Sequence, residues 1–187
     1  MIKIYFMIMR ILSWCFYRCK VEKTAKIRIG RMRNGSRIEI GKNVFIGKNY
    51  KLYVIKKGDN IGKIKLEDGV VMQENIHMSS VFGITIRKNT LLGSDILIID
   101  NNHGMNPELG GGYHKQSVTG DEIVIGNECW IGDKVAILAG VKIGDKCIIG
   151  ANSTVTHNIP AYSIAVGSPA RVVKKYNFEL HKWENVS

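Results

Sequence analysis

The sequence predicts an all-β solenoid built from hexapeptide repeats, and three observations predict it. Ile125, Ile131, Ile137, Ile143, Ile149 and Val155 recur at a spacing of six. The next position is often glycine (Gly126, Gly132, Gly144, Gly150), and the fifth position of each hexad is small or β-branched (Cys129, Val135, Val141, Cys147, Ser153). A period of six fits neither a strand's alternation nor the 3.6-residue repeat of a helix; it fits a hexapeptide solenoid. Each hexad then sends one large and one smaller side chain inward, while Gly, Asn, Asp and Lys between them suit a tight turn with positive φ. At 187 residues the chain is long enough for one well-buried domain.

Residues 1–22 open the chain with an apolar and basic segment, MIKIYFMIMRILSWCFYRCK and two further residues. Arg10 interrupts the apolar run and no A-x-A-like site follows, so neither a cleaved signal nor a spanning helix is expected. If the segment is helical, Lys3, Arg10 and Arg18 fall near one face, with Ile4, Ile8, Ile11 and Cys15 opposite. Two placements stay open: a helix lying on a membrane surface, or a cap whose apolar face covers the first coil.

The solenoid is expected over residues 23–166. Its hexads begin at Ile40, Ile46 and Leu52, slip through YVIKKGDNIGKIK, and resume at Leu66, Met72 and Met78. A smaller shift near SSVFG precedes Ile86, Leu92 and Ile98; both shifts read as surface bulges. The largest break is the loop 99–122, IDNNHGMNPELGGGYHKQSVTGDE, an ejected segment of the kind that carries chemistry on a rigid scaffold. In the tail, 167–187, a short helix from about Phe178 to Trp183 is the expected cap, while Pro160 and Pro169 forbid a longer one starting at His157.

The formal charge of +11 is uneven: seventeen Lys and Arg face three acids up to Lys65, and ten face thirteen afterwards. An anionic partner is expected at the N-terminal part, a lipid head group or an acidic glycan. Nucleic acid is set aside because no binding motif accompanies the charge. The four cysteines form no CxxC pair. Cys129 and Cys147 lie three hexads apart, so if three hexads make one turn they stack as small core residues, and the reducing cytosol is the natural compartment.

The stretch IGNECWIGDKVAILAGVKIGDKCIIGANSTVTHNIPAYSIAVGSPARVV resembles the C-terminal signature of hexapeptide-repeat acetyltransferases, in particular the galactoside and maltose O-acetyltransferases and polysaccharide-modifying relatives. The match is ungapped from Ile86 to His103 and covers about the last 120 residues well. The resemblance implies a left-handed parallel β-helix of triangular section, a homotrimer with active sites between subunits, and acetyl-CoA as co-substrate with no metal.

It also implies roles for particular residues. His103 stands at the position of the family's catalytic histidine, where an imidazole takes the proton of a sugar hydroxyl. Asp100 or a backbone carbonyl is expected to hold the ring's tautomer, and His114 in the same loop is the rival base. Trp130 corresponds to the tryptophan lining the acceptor site. Gln73 and Asn75 fall near an acceptor-contacting asparagine, with glutamine where asparagine is usual. Asp133 replaces a serine, leaving its backbone N–H to face the thioester oxygen. Ala151 matches a pantetheine contact, and Thr156 and His157 match a Thr-Lys pair near the nucleotide. Arg171 and Lys174, with Lys175 beside it, are positioned for the CoA phosphates.

The expected function is O-acetylation of a saccharide hydroxyl in O-antigen, capsule or other surface polysaccharide synthesis. The acceptor is expected to be acidic or lipid-linked, and the enzyme cytoplasmic, at the inner face of the cytoplasmic membrane. Two alternatives are a γ-type zinc carbonic anhydrase using His77, His103 and His114, whose spacing is unlike that family's, and a non-catalytic solenoid presenting a basic face to glycans.

Overall fold

The computed structural model describes residues 2–17 and 19–186; Arg18 and the side chain of Cys15, both assigned above to faces of a helix, lie outside the described residues. After helix α1 (Ile2–Tyr17), the chain winds through six coils, each laying one short strand on each of three parallel sheets. The fold is a left-handed parallel β-helix of triangular section, whose long axis runs through all six coils.

Register shows why the hexads form it. On the first face Ile40, Leu66, Ile86, Ile125 and Ile143 are successive partners. On the second, Ile46, Met72, Leu92, Ile131 and Ile149 stack in the same way. Leu52, Met78, Ile98, Ile137 and Val155 form the column of the third face. All are buried, and each such side chain contributes about 1.5–3 kcal/mol relative to exposure. Hexads begin one coil earlier than the sequence pattern suggests, because Val21, Ile27 and Met32 continue the three columns. The step from Ile27 to Met32 is five residues rather than six, which hides the repeat.

Corners between faces are tight turns in the left-handed region. Asn43, Asn49, Asn75, Asn89, Asp95, Glu128, Lys134, Lys146 and Asn152 all have φ between 55° and 61°. Gly69 (74°) and Gly140 (78°) fill the equivalent corners, where a side chain adds strain. Carboxylates stitch coils together at the preceding corner position. Asp68, Asp133 and Asp145 each accept the backbone N–H of the residue one coil back, Lys42, Ser94 and Asn127 respectively, at 2.7–2.8 Å. The Asn127 N–H in turn holds the Asp145 carboxyl below its ordinary range.

Cys129 and Cys147 are buried at neighbouring coils, and each thiol donates to a carbonyl of the next coil, Gly144 at 3.1 Å and Pro160 at 3.0 Å. The neighbouring Cys147 side chain, and then burial, push the Cys129 thiol up; burial alone pushes Cys19 up to about 12. These thiols are core plugs.

The three interruptions of the hexad pattern between Leu52 and Ile125 share one edge. Each follows a third-face strand and precedes the next first-face strand: the hairpin of Lys56–Lys57 with Asn60–Ile61, the turn at 80–83, and the segment 100–122. The last is itself ordered by a hairpin, Asn101–His103 against Val118–Gly120.

The C-terminal helix expected from Phe178 to Trp183 is not formed. Ser163–Gly167 extends the second face in parallel with Ile148–Ile149, then pairs antiparallel with Ala170–Asn177, which pairs with Lys182–Asn185. Asn177 accepts the N–H groups of Glu179 and Leu180 at 2.9 and 3.0 Å to close that turn. Tyr176 stacks edge-on with Phe178 and Trp183 at 5.1 and 5.3 Å. Cross-strand aromatic pairing wins over a helical turn too short to be stable alone.

Candidate active site

The edge where the repeat is interrupted encloses a cavity of about 470 Å³. Three successive coils build it: Ile55 and Lys57 from the first hairpin, His77, Ser79 and Val81 from the next coil, then Ile99, Asn101, Asn102 and His103 with Val118 across from it. Two imidazoles, an ammonium, a hydroxyl and two amides thus converge on a partly apolar wall. That is a lining suited to a small polyhydroxylated ligand beside a proton acceptor.

His103 ends its hairpin strand opposite Val118 with an exposed ring. The hairpin's far end is pinned by buried Gln116, which donates to the Asn106 carbonyl at 2.8 Å and accepts its N–H at 3.0 Å. Asp100 does not orient the imidazole, correcting that expectation. Its fully buried carboxylate accepts the N–H groups of Val81, Phe82 and Gly83 at 2.7–3.0 Å, the Ser80 hydroxyl at 2.8 Å and the Asn101 amide at 3.0 Å. Asp100 therefore fixes the floor from which His103 rises. Among the described residues, no group hydrogen-bonds the His103 ring.

His77 lies half-buried on the third face, with its ring edge-on to Tyr53 at 5.5 Å. Burial first, and the Lys51 ammonium second, hold its pKa below the ordinary histidine value. Among the described residues its buried Nε2 has no partner. Lys57 donates to the His114 carbonyl at 3.5 Å, tying the first hairpin to the loop, while His114 itself does not line the cavity. Sequence reasoning missed Lys57 and Ser79 and gave His77 only a place in a zinc triad; the signal was present in the hexad slips, which stack on one edge once faces are counted. Among the described residues no group of three or more His, Cys, Asp or Glu side chains is disposed to hold a metal ion.

The other candidates lie apart from this cavity within the chain. Gln73 and Asn75 sit at the corner between second and third faces, and Asn75 is committed to a side-chain ladder, bonded to Asn49 at 3.2 Å and Asp95 at 2.9 Å. Asp133 and Ala151 occupy that same corner two and three coils further on. There the Asn152 N–H donates to the Asp133 carbonyl at 2.9 Å, and Ala151 lies against Gly132. Trp130 stands 55% exposed on the second face between Leu91 and Ile148. Thr156 and His157 bond each other at 2.8 Å on the interrupted edge, beyond the loop. Arg171 and Lys174 are exposed on the antiparallel strand that continues the second face. A smaller groove of about 220 Å³ on the first face carries charges of both signs, Lys65 pairing Glu67 at 3.0 Å, and lacks a histidine.

This fold and edge cavity define a hexapeptide-repeat transferase, and comparison with known proteins agrees. Residues 122–157 match the family described as bacterial transferase hexapeptide (six repeats). The chain is 32% identical over 161 residues to the Escherichia coli (strain K12) protein named as a lipopolysaccharide biosynthesis O-acetyl transferase, WbbJ, covering 82% of this chain and 79% of that one. It is 36% identical over 103 residues to galactoside O-acetyltransferase of the same organism, covering 55% of this chain and 49% of that one. A variant of the N-acyltransferase AntD from Bacillus cereus, solved with dTDP and coenzyme A, shares the fold with a TM-score of 0.72 over 91% of this chain and 90% of that one, at 19% identity. The chain belongs to the hexapeptide-repeat acetyltransferases.

Proposed function

We propose that the protein moves an acetyl group from acetyl-CoA to a saccharide hydroxyl during construction of a surface polysaccharide or lipopolysaccharide. The observation that carries this reading is the edge cavity with His103 on a pinned hairpin, together with a likeness over 82% of this chain to a protein named as an O-acetyl transferase of lipopolysaccharide biosynthesis.

In this mechanism the His103 imidazole takes the acceptor's hydroxyl proton as that oxygen attacks the thioester carbonyl carbon. The C–O bond forms, and the oxyanion of the tetrahedral intermediate faces a backbone N–H, for which Asp133 is the candidate. Collapse breaks the C–S bond, and the CoA thiolate takes the proton back from the imidazolium. Arg171 and Lys174 hold the donor's phosphates, one as a fork and one as a point charge. Lys57, His77 and Ser79 meet acceptor hydroxyls, and Lys57 favours an acceptor with an acidic group.

Because His103 and the carried-over donor residues Asp133 and Ala151 lie on different edges of one prism, the complete site forms between copies. A closed ring of three chains joined edge to edge satisfies this. Replacing His103 with Ala should lower acetyl transfer by about 10²–10⁴-fold with the fold unchanged, since the ring is exposed and has no hydrogen bond among the described residues. Unchanged turnover would eliminate it as the base. Mass spectrometry of surface polysaccharide from cells with and without the gene identifies the acceptor through loss of an acetyl group.

A further inference from the structure

We infer that the N-terminal helix is a docking surface for an anionic lipid bilayer. This goes beyond the acetyl-transfer reading and does not depend on it.

Helix α1 packs against the strands Lys20–Val21 and Lys26–Ile27 and the turn Gly35–Arg37. The side it turns to the solenoid carries half-buried Phe6 and Met9. Ser13 is buried there, and the Arg10 guanidinium donates to the Lys23 carbonyl. A second apolar face points the other way: Ile4 is 57% exposed, Ile8 47% and Ile11 49%, flanked by Met7 and Leu12. An apolar stripe about two turns long is thus left outside after the helix has already found its place on the protein. Desolvating it requires a further partner.

Charge identifies that partner. Glu22 is the first acid in the chain, so the helix carries none. The elements beneath it present exposed Lys20, Lys23, Lys26 and Arg31, and among the described residues none of these pairs with a carboxylate. A second copy laid against this face would bring like charges together, whereas acidic head groups neutralise them and acyl chains take the isoleucines. No described helix is long and apolar enough to cross a membrane. At sixteen residues, α1 spans about 24 Å, short of the ~30 Å hydrocarbon core, and would lie in the interface plane.

The test is co-sedimentation of the full-length protein with vesicles of phosphatidylcholine alone and of phosphatidylcholine with phosphatidylglycerol at roughly 3:1. Wild-type protein should bind the anionic vesicles at least about tenfold more strongly, and added salt should weaken binding. The Ile4→Ser, Ile8→Ser, Ile11→Ser triple variant should lose that binding with unchanged circular dichroism and oligomeric mass. Lys20→Glu with Lys26→Glu should abolish the preference for acidic lipid without touching the apolar stripe, which keeps the inference testable if the triple variant misfolds. Equal binding to both vesicle types, no binding to either, or a change in oligomeric mass in the triple variant would each overturn it, the last by showing the stripe to be a contact between copies.

Discussion

Asp100 illustrates how one buried charge is made tolerable and useful. An isolated carboxylate in a dry interior is costly, yet this one accepts five hydrogen bonds, three of them from consecutive backbone N–H groups of the coil before it. It closes the turn at 80–83 and anchors the first residue of the His103 strand at once. Asp100→Ala leaves those donors buried and unpaired, so a loss of about 3 kcal/mol is expected. For a chain of this size that is a fall in Tm of roughly 6–12 °C, measured by calorimetry. Acetyl transfer should fall as well, because the base would no longer stand on a fixed floor. A variant as stable as wild type would show that water replaces the carboxylate. The sequence pointed to Asp100 only through its nearness to His103. Three of its five partners are backbone N–H groups 17–19 residues away, which residue identity does not disclose.

At the scale of elements, the face columns were legible because a hexad repeats one inward position at fixed spacing, as from Ile125 to Val155 and from Ile40 to Leu52. Two things escaped. The first coil was hidden by the five-residue step from Ile27 to Met32, and the C-terminal NFELHKW run suits either a helical turn or a hairpin until its pairing partner Ala170–Asn177 is known. The stacked interruptions were visible as separate slips, but only winding the chain shows that they share an edge and enclose one cavity. Lys57 connects two of those insertions by donating to the His114 carbonyl while lining the cavity. If the hairpin at 56–61 is an acceptor wall, Lys57→Ala should raise KM for the saccharide by about ten- to a hundredfold, the loss of one hydrogen bond to a charged donor. KM for acetyl-CoA should stay the same. Steady-state kinetics with each substrate varied in turn would detect the split, and an equal rise in both constants would assign Lys57 to folding of the loop instead.

For the whole molecule, the decisive geometric fact is that a triangular prism holds its residues on separate edges. His103 rises from the edge between third and first faces, Asp133 and Ala151 line the edge between second and third, and Trp130 stands on the second face. No side-chain rotation within one chain brings a second-face residue to the interrupted edge. A heterologous contact between copies does so without distorting either, and if the rotation closes at three, each edge cavity is completed by its neighbour's donor surface. Under the proposed function, activity would be a property of pairs of chains. His103→Ala and Trp130→Ala chains should each be inactive as pure proteins, with Trp130 supplying the aromatic floor for a sugar ring. Co-expressed and randomly assembled, they should regain about one quarter of wild-type turnover, because that is the fraction of contacts pairing an intact histidine with an intact tryptophan in a cyclic assembly. Light scattering on the same samples would report the mass of the assembly. Zero recovery in a trimer of correct mass would mean that each chain carries its own site, and the acceptor would then have to be bound by the His77 and Lys57 wall alone.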